Sequence, residues 1–145
     1  MTTEDDLLKL ENQLCFALVT AARNVVAIYR PILEPLGLTH PQYLVMLALW
    51  EHSPRSLNDL AADLALDPAT ASPLVKRLEN QGLILRERSS ADERRLDIVL
   101  TDAGRALRER AVDVPRQVMA AVHMDIDQIA TLRDGLSPFA GRLPV

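Results

Sequence analysis

Two short helical patterns followed directly by two extended runs constrain the chain most, and they lie between Ser56 and Leu100. Ser56 suits a helix cap, and Asp59 suits the first turn that follows. Leu57, Leu60, Ala61 and Leu64 give that short helix one apolar face. The chain restarts at Leu66-Asp67-Pro68, where proline fits the first helical position because its missing N–H needs no partner there. The spacing predicts a second helix over Pro68–Gln81, stopped by Gly82. Its inward stripe is Ala71, Leu74, Val75 and Leu78, with Thr70, Pro73, Lys76, Arg77 and Asn80 mainly on the opposite side. Leu83–Glu87 and Arg95–Leu100 read as strands joined by the polar segment 88–94.

A helix that follows another after a tight turn, with small polar and basic residues outward, suits the major groove of duplex DNA. Thr70 and Ser72 are short enough to let the backbone approach. Lys76 and Arg77 reach toward phosphates, and arginine can also read guanine. Pro73 removes a bond to Ala69 and is expected to distort the helix or delay its regular start. The hairpin tip carries Arg88, Arg94 and Arg95 beside Asp92 and Glu93. Arginine on such a tip fits a narrow, electronegative minor groove. Asp92 is expected to hold Arg94 or Arg95 by a charge-assisted bond. Without the hairpin, the same helix reads more readily as a surface helix with ordinary solvated charges.

The charge balance agrees with a local rather than general affinity for nucleic acid. The whole chain of 145 residues carries a net charge of −4. Residues 1–54 hold three basic side chains against six acidic ones, whereas residues 72–95 hold six against four. A confined basic surface on an acidic body suits a sequence-specific reader better than a coating protein.

Apolar periodicity extends on both sides. Leu7, Leu10, Leu14, Leu18 and Val25 predict a first helix over Asp5–Tyr29, with Leu8, Cys15, Val19 and Ala22 on an adjoining stripe. Pro31, Pro35 and Gly37 are expected to break it. Thr39 and Gln42 form a possible capping box for a helix carrying Leu44, Val45, Leu47, Ala48 and Trp50. Thr101-Asp102 caps a helix running toward Val122, kinked or interrupted by Pro115. A last helix is expected over Asp125–Phe139. The fold class is mainly α with a small β-hairpin: a winged helix-turn-helix with N- and C-terminal helical arms. One domain spans 1–145, with arms over about 5–38 and 105–145 and the winged helix-turn-helix over about 41–100.

Cys15 is the single cysteine, so no internal disulfide can form. The acidic N-terminus lacks the shape of a signal peptide, and no apolar run approaches membrane-spanning length. The expected compartment is the cytoplasm. His40, His52 and His123 are scattered and do not share ligand spacing with Cys15, so neither metal nor other cofactor is expected. On residue chemistry alone, Cys15 reads as a small core residue. It falls about ten residues into the first helix, too far from the helix end to gain from it, so a thiolate would need local donors.

The run NDLAADLALDPATASPLVKRLENQGLILRERSSADERRLDIVLTDAG, from Asn58 to Gly104, resembles the winged helix-turn-helix of the MarR family of bacterial regulators. LVKRLENQGLI, the DERR wing and the LTDAG helix opening carry the likeness. The resemblance implies an obligate homodimer on a pseudo-palindromic double-stranded DNA operator. It also implies Arg94 as the wing arginine, Asp92 as its anchor and Arg86 as a further backbone contact. The segment beginning ENQLCFALVTAARNVVAIYRP is similar to the organic-hydroperoxide-sensing branch of that family. There the cysteine in LCFAL is the sensor, and tyrosines of the partner subunit hold its thiolate.

By that resemblance Cys15 is the redox sensor and Tyr29 one supporting hydroxyl. His40 stands where the second tyrosine falls, and Tyr43 is close enough in sequence to substitute. As imidazolium, His40 would support a thiolate more strongly than a phenol does. The implied inducers are organic hydroperoxides. The oxidised cysteine would pass to a mixed disulfide with a low-molecular-weight thiol, to a bond with another chain, or to overoxidation. The competing readings are a repressor released by a small aromatic ligand, with Cys15 incidental, and a thiol peroxidase. The absence of a resolving cysteine and of a CxxC motif argues against the enzyme.

Overall fold

The computed structural model describes residues 1–141, so the end of the expected C-terminal arm, 142–145, lies outside the described residues. Helices α1 (Glu4–Leu7) and α2 (Leu14–Leu33) form the N-terminal arm, and α3 (His40–Glu51) leads into the centre. The centre holds β1 (Arg55–Ser56), α4 (Leu57–Asp63), α5 (Pro68–Asn80), β2 (Ile84–Arg88) and β3 (Leu96–Leu100). Helices α6 (Asp102–Ala111), α7 (Val114–Val122) and α8 (Ile126–Gly135) complete the chain. The fold is mostly helical with one small antiparallel sheet, as expected.

The first helix departs from expectation at both ends. A single helix over Asp5–Tyr29 does not form, because the chain breaks between Leu8 and Gln13 around a 3-10 turn, Leu10–Asn12. Side chains satisfy the backbone at the break. The Asn12 amide donates to the Asp6 carbonyl, and the Gln13 amide donates to the carbonyls of Leu7 and Lys9. Pro31 does not end α2, which continues through it to Leu33. Proline deletes a bond to the carbonyl of Ala27, but Ala27 is exposed, and water can take its place.

Between the helices, capping follows the sequence closely. The Thr39–Gln42 capping box forms, and Ser56 Oγ accepts from the Asp59 amide N–H. Gly82 follows the end of α5 at φ +78°, a conformation that glycine adopts without a steric penalty. Pro73 sits inside α5 without breaking it, which corrects the expected distortion. The carbonyl it leaves free belongs to exposed Ala69. The helix expected from Asp102 to Val122 is interrupted, with Pro115 in the first turn of α7. The last helix ends at Gly135, and a 3-10 turn covers Ser137–Phe139.

The sheet has three strands in the order β1-β3-β2, all antiparallel. The pair β2–β3 is the expected hairpin, and two-residue β1 was not anticipated. The core gathers Leu33, Met46, Leu49, Leu60, Leu78, Ile84, Ile98 and Val114, all fully buried. It therefore joins α2, α3, the helix-turn-helix, the sheet and α7 in one mass. The C-terminal arm adds Leu107, Val114 and Val118 to this core, whereas α1, most of α2 and α8 stay outside it. Leu33 is the single buried residue of α2, and α8 has none.

Ala65, in the turn between α4 and α5, holds a left-handed φ of +56°. Its methyl crowds the backbone there, at a cost of about 1–2 kcal/mol, partly offset by the extra unfolded-state freedom of glycine. Ala65→Gly is expected to raise stability by about 0.5–1 kcal/mol. A higher denaturant midpoint at unchanged m-value checks this, and an unchanged or lower midpoint refutes it.

Candidate DNA interface and thiol site

Helix α5 presents exposed Thr70, Pro73, Lys76 and Arg77, with Ser72 half-buried beside them. Ala71, Val75 and Leu78 hold its opposite face in the core. The basic residues differ in how free they are. Lys76 lies 3.3 Å from Glu79, and Arg86 on β2 lies 3.6 Å from the same carboxylate. Glu79 thus couples the recognition helix to the wing, a role missed from sequence although its i,i+3 spacing from Lys76 signals it. The Arg77 guanidinium has no ion pair among the described residues.

The wing is organised from within. The Ser89 N–H donates to the Arg95 carbonyl at 2.8 Å, and Ser89 Oγ accepts from the N–H groups of Ala91 and Asp92. Arg88 donates to the Glu93 carbonyl at 2.8 Å. Asp92 does anchor Arg94, but through the backbone: the Arg94 N–H donates to Asp92 Oδ1 at 3.0 Å. The Arg94 guanidinium is left without a protein partner among the described residues. Arg95, expected to face DNA or Asp92, turns instead toward the body. Its guanidinium lies 3.0 Å from both Asp59 on α4 and Asp97 on β3. It ties the base of the wing to the helix-turn-helix.

Cys15 occupies the first turn of α2 and is exposed. The expectation that it lies deep within a helix, far from its end, is therefore corrected by the break before Leu14. No side chain caps this helix start. Tyr29, His40 and Tyr43 come together in one aromatic cluster. The Tyr29 ring centroid is 4.7 Å from that of His40 and 5.9 Å from that of Tyr43. Burial pushes the His40 imidazole below its ordinary range, so the neutral ring is favoured at neutral pH, contrary to the imidazolium considered above. Burial, then the neighbouring Tyr29, raises the Tyr43 hydroxyl, and burial raises Tyr29. These groups are hydrogen-bond donors rather than charges.

Tyr29 lies fourteen positions beyond Cys15 on the same helix. At 1.5 Å per residue that is about 21 Å, so the thiol cannot meet the aromatic cluster of its own chain.

The MarR family model matches residues 38–96. The organic hydroperoxide resistance transcriptional regulator of Bacillus subtilis (strain 168) is 41% identical over 136 residues, spanning 94% of this chain and 92% of its own. The chain belongs to the MarR family. Two solved MarR-like structures agree with that placement. Reduced AbfR bound to DNA, from Staphylococcus epidermidis, is 33% identical with a TM-score of 0.76, over 94% of this chain and 96% of its own. The repressor CouR on a 23-mer duplex is 27% identical with a TM-score of 0.82, over 95% of this chain and 99% of its own. This MarR chain is accordingly a DNA-binding transcriptional regulator.

Proposed function

We propose that this regulator is a homodimeric, cytoplasmic repressor that leaves its operator when organic hydroperoxide oxidises Cys15. One observation carries the reading: an exposed cysteine at the start of α2 and a three-ring donor cluster about 21 Å along the same helix can meet only across two chains. Both arms carry the surface such pairing needs. Leu7, Leu10, Leu14 and Phe16 are exposed on one, and Val112, Ile126, Leu132 and Phe139 on the other. Contrary to expectation, Leu14–Leu36 is long and apolar enough to cross a membrane. Burial between subunits accounts for the same composition.

The thiolate sulfur of Cys15 attacks the terminal peroxide oxygen. The O–O bond breaks, the sulfur becomes sulfenic acid, and the alkoxide leaves and takes a proton as alcohol. Tyr29 of the partner subunit and the partner's His40 would donate to the thiolate beforehand and lose that geometry afterwards. The arms would shift, and two recognition helices spaced for half-sites about one helical turn apart would lose register. With one cysteine per chain, a low-molecular-weight thiol is the natural acceptor of the sulfenic acid as a mixed disulfide. The fold is that of DNA-binding regulators, and the chain acts by binding rather than by turnover.

The experiment is an operator gel shift of reduced protein before and after cumene hydroperoxide, then after dithiothreitol. Loss of the complex with oxidant and recovery with reductant supports the reading. An oxidant-insensitive complex refutes it. On the DNA side, Arg94→Gln is expected to flatten the salt dependence of log K by about 1 per subunit, because its free guanidinium displaces counterions. Arg95→Gln is expected to weaken binding with a smaller change of slope, because Asp59 and Asp97 already neutralise it. Equal slopes for the two variants would contradict the distinction.

A second reading has its own support. A cleft of about 310 Å³ between α3, α6 and α7, lined by Tyr43, Leu47, Trp50, Val112 and Pro115, fits a small aromatic ligand. Release by such a ligand with Cys15 replaced would favour it.

A further inference from the structure

A second, larger cleft opens beside His40. It measures about 610 Å³, within the range of sites that enclose small organic ligands. Val26, Leu38 and Pro41 give it apolar walls, and His40, Arg30 and Glu34 line it with polar groups. The Arg30 guanidinium makes no ion pair or hydrogen bond among the described residues, although Glu34 is only one turn further along the chain. An unpartnered guanidinium beside apolar walls matches a ligand with an apolar body and an anionic end. Its planar donor fork fits a carboxylate. The cleft shares His40 with the aromatic cluster, so a ligand seated in it lies beside the place where the partner's thiol is proposed to react.

We propose that Arg30 selects hydroperoxides that carry a carboxylate on an apolar chain, holding the acid end while the peroxide faces Cys15 of the partner subunit. This rests on the hydroperoxide-sensing reading above. The chemistry at sulfur is unchanged. Arg30 acts as a positioning and specificity residue, raising the local concentration of one oxidant class. Glu34 in the same lining would disfavour a second acidic group, so a monocarboxylate fits better than a diacid.

The test is the rate at which the Cys15 thiol of the reduced full-length protein is consumed, in stopped flow, by three oxidants below their micelle concentrations. These are linoleic acid hydroperoxide, its methyl ester and cumene hydroperoxide. The acid is expected to react about threefold to fivefold faster than the ester, the gain of one charge-assisted contact at an exposed site. In Arg30→Met, which keeps the apolar stem, acid and ester should react alike, with the ester and cumene hydroperoxide rates unchanged. Arg30→Lys should retain part of the preference. Equal rates for acid and ester in the unmodified protein overturn the proposal. So does an Arg30→Met variant that slows all three alike. If none of the three outpaces its reaction with free cysteine, the sensing reading fails too, whatever Arg30 does.

Discussion

Cys15→Ser is expected to bind the operator as tightly as the unmodified protein and to stay bound through cumene hydroperoxide treatment. The substitution is nearly isosteric, and the position is exposed and outside the core, so folding should be unaffected. Serine cannot take oxygen from a peroxide at this oxidation level, so the response should vanish rather than weaken. The proposed DNA contacts lie on α5 and the wing, far along the chain from the first turn of α2. The gel shift therefore separates two functions carried by two parts of the molecule. A Cys15→Ser complex that still dissolves on oxidation would remove Cys15 from the mechanism. Methionine would be the next oxidisable side chain to consider.

Gly104→Ala should be the most damaging conservative change in the DNA-binding half. A Cβ at this position would stand 2.1 Å from the Leu83 carbonyl oxygen and 3.3 Å from Leu100 Cδ2. The obstacle is backbone, and it is already committed, because the Leu83 carbonyl accepts from the Thr101 N–H at 3.1 Å. Either α6 must lift off the start of β2 or the strand must move. Overpacking of this kind costs about 1–3 kcal/mol, and an immovable carbonyl places it near the upper end. At about 2–4 °C per kcal/mol, the melting temperature should fall by about 6–12 °C at fixed protein concentration. The single tryptophan reports on the joint, since Trp50 Nε1 donates to the Gly104 carbonyl at 2.9 Å. A shifted emission maximum should accompany the loss. A variant with unchanged melting and emission would show that the joint relaxes freely.

The DNA-binding half was legible because each boundary there has a local chemical marker. Ser56, Pro68, Gly82 and Thr101 stop or start elements through their own backbone or side-chain preferences. The apolar stripe of α5 fixes which face is buried. The N-terminal arm lacks such markers. Leucines continue in helical phase across the break, and it is Asn12 and Gln13, polar side chains folding back on carbonyls, that end the first turn. That break moved Cys15 from mid-helix to a helix start. In the wing, composition could not separate Arg94 from Arg95. The turn did: Arg94 sits in the turn that the Arg95 N–H closes onto the Asp92 carbonyl, and Arg95 stands just before β3. One faces outward, and the other meets two carboxylates. Arg30 carried no motif. Its place is visible only once α2 runs through Pro31 and brings it into the lining of a cleft.

The uninterrupted length of α2 has one more consequence. On the proposed reading, a rod that holds the thiol and its donors about 21 Å apart leaves an isolated chain without a supported thiolate, although it contains every part. The supported thiolate of that proposal would then form only when two chains associate. The threshold for response would depend on how many copies the cell maintains as well as on how much peroxide it meets.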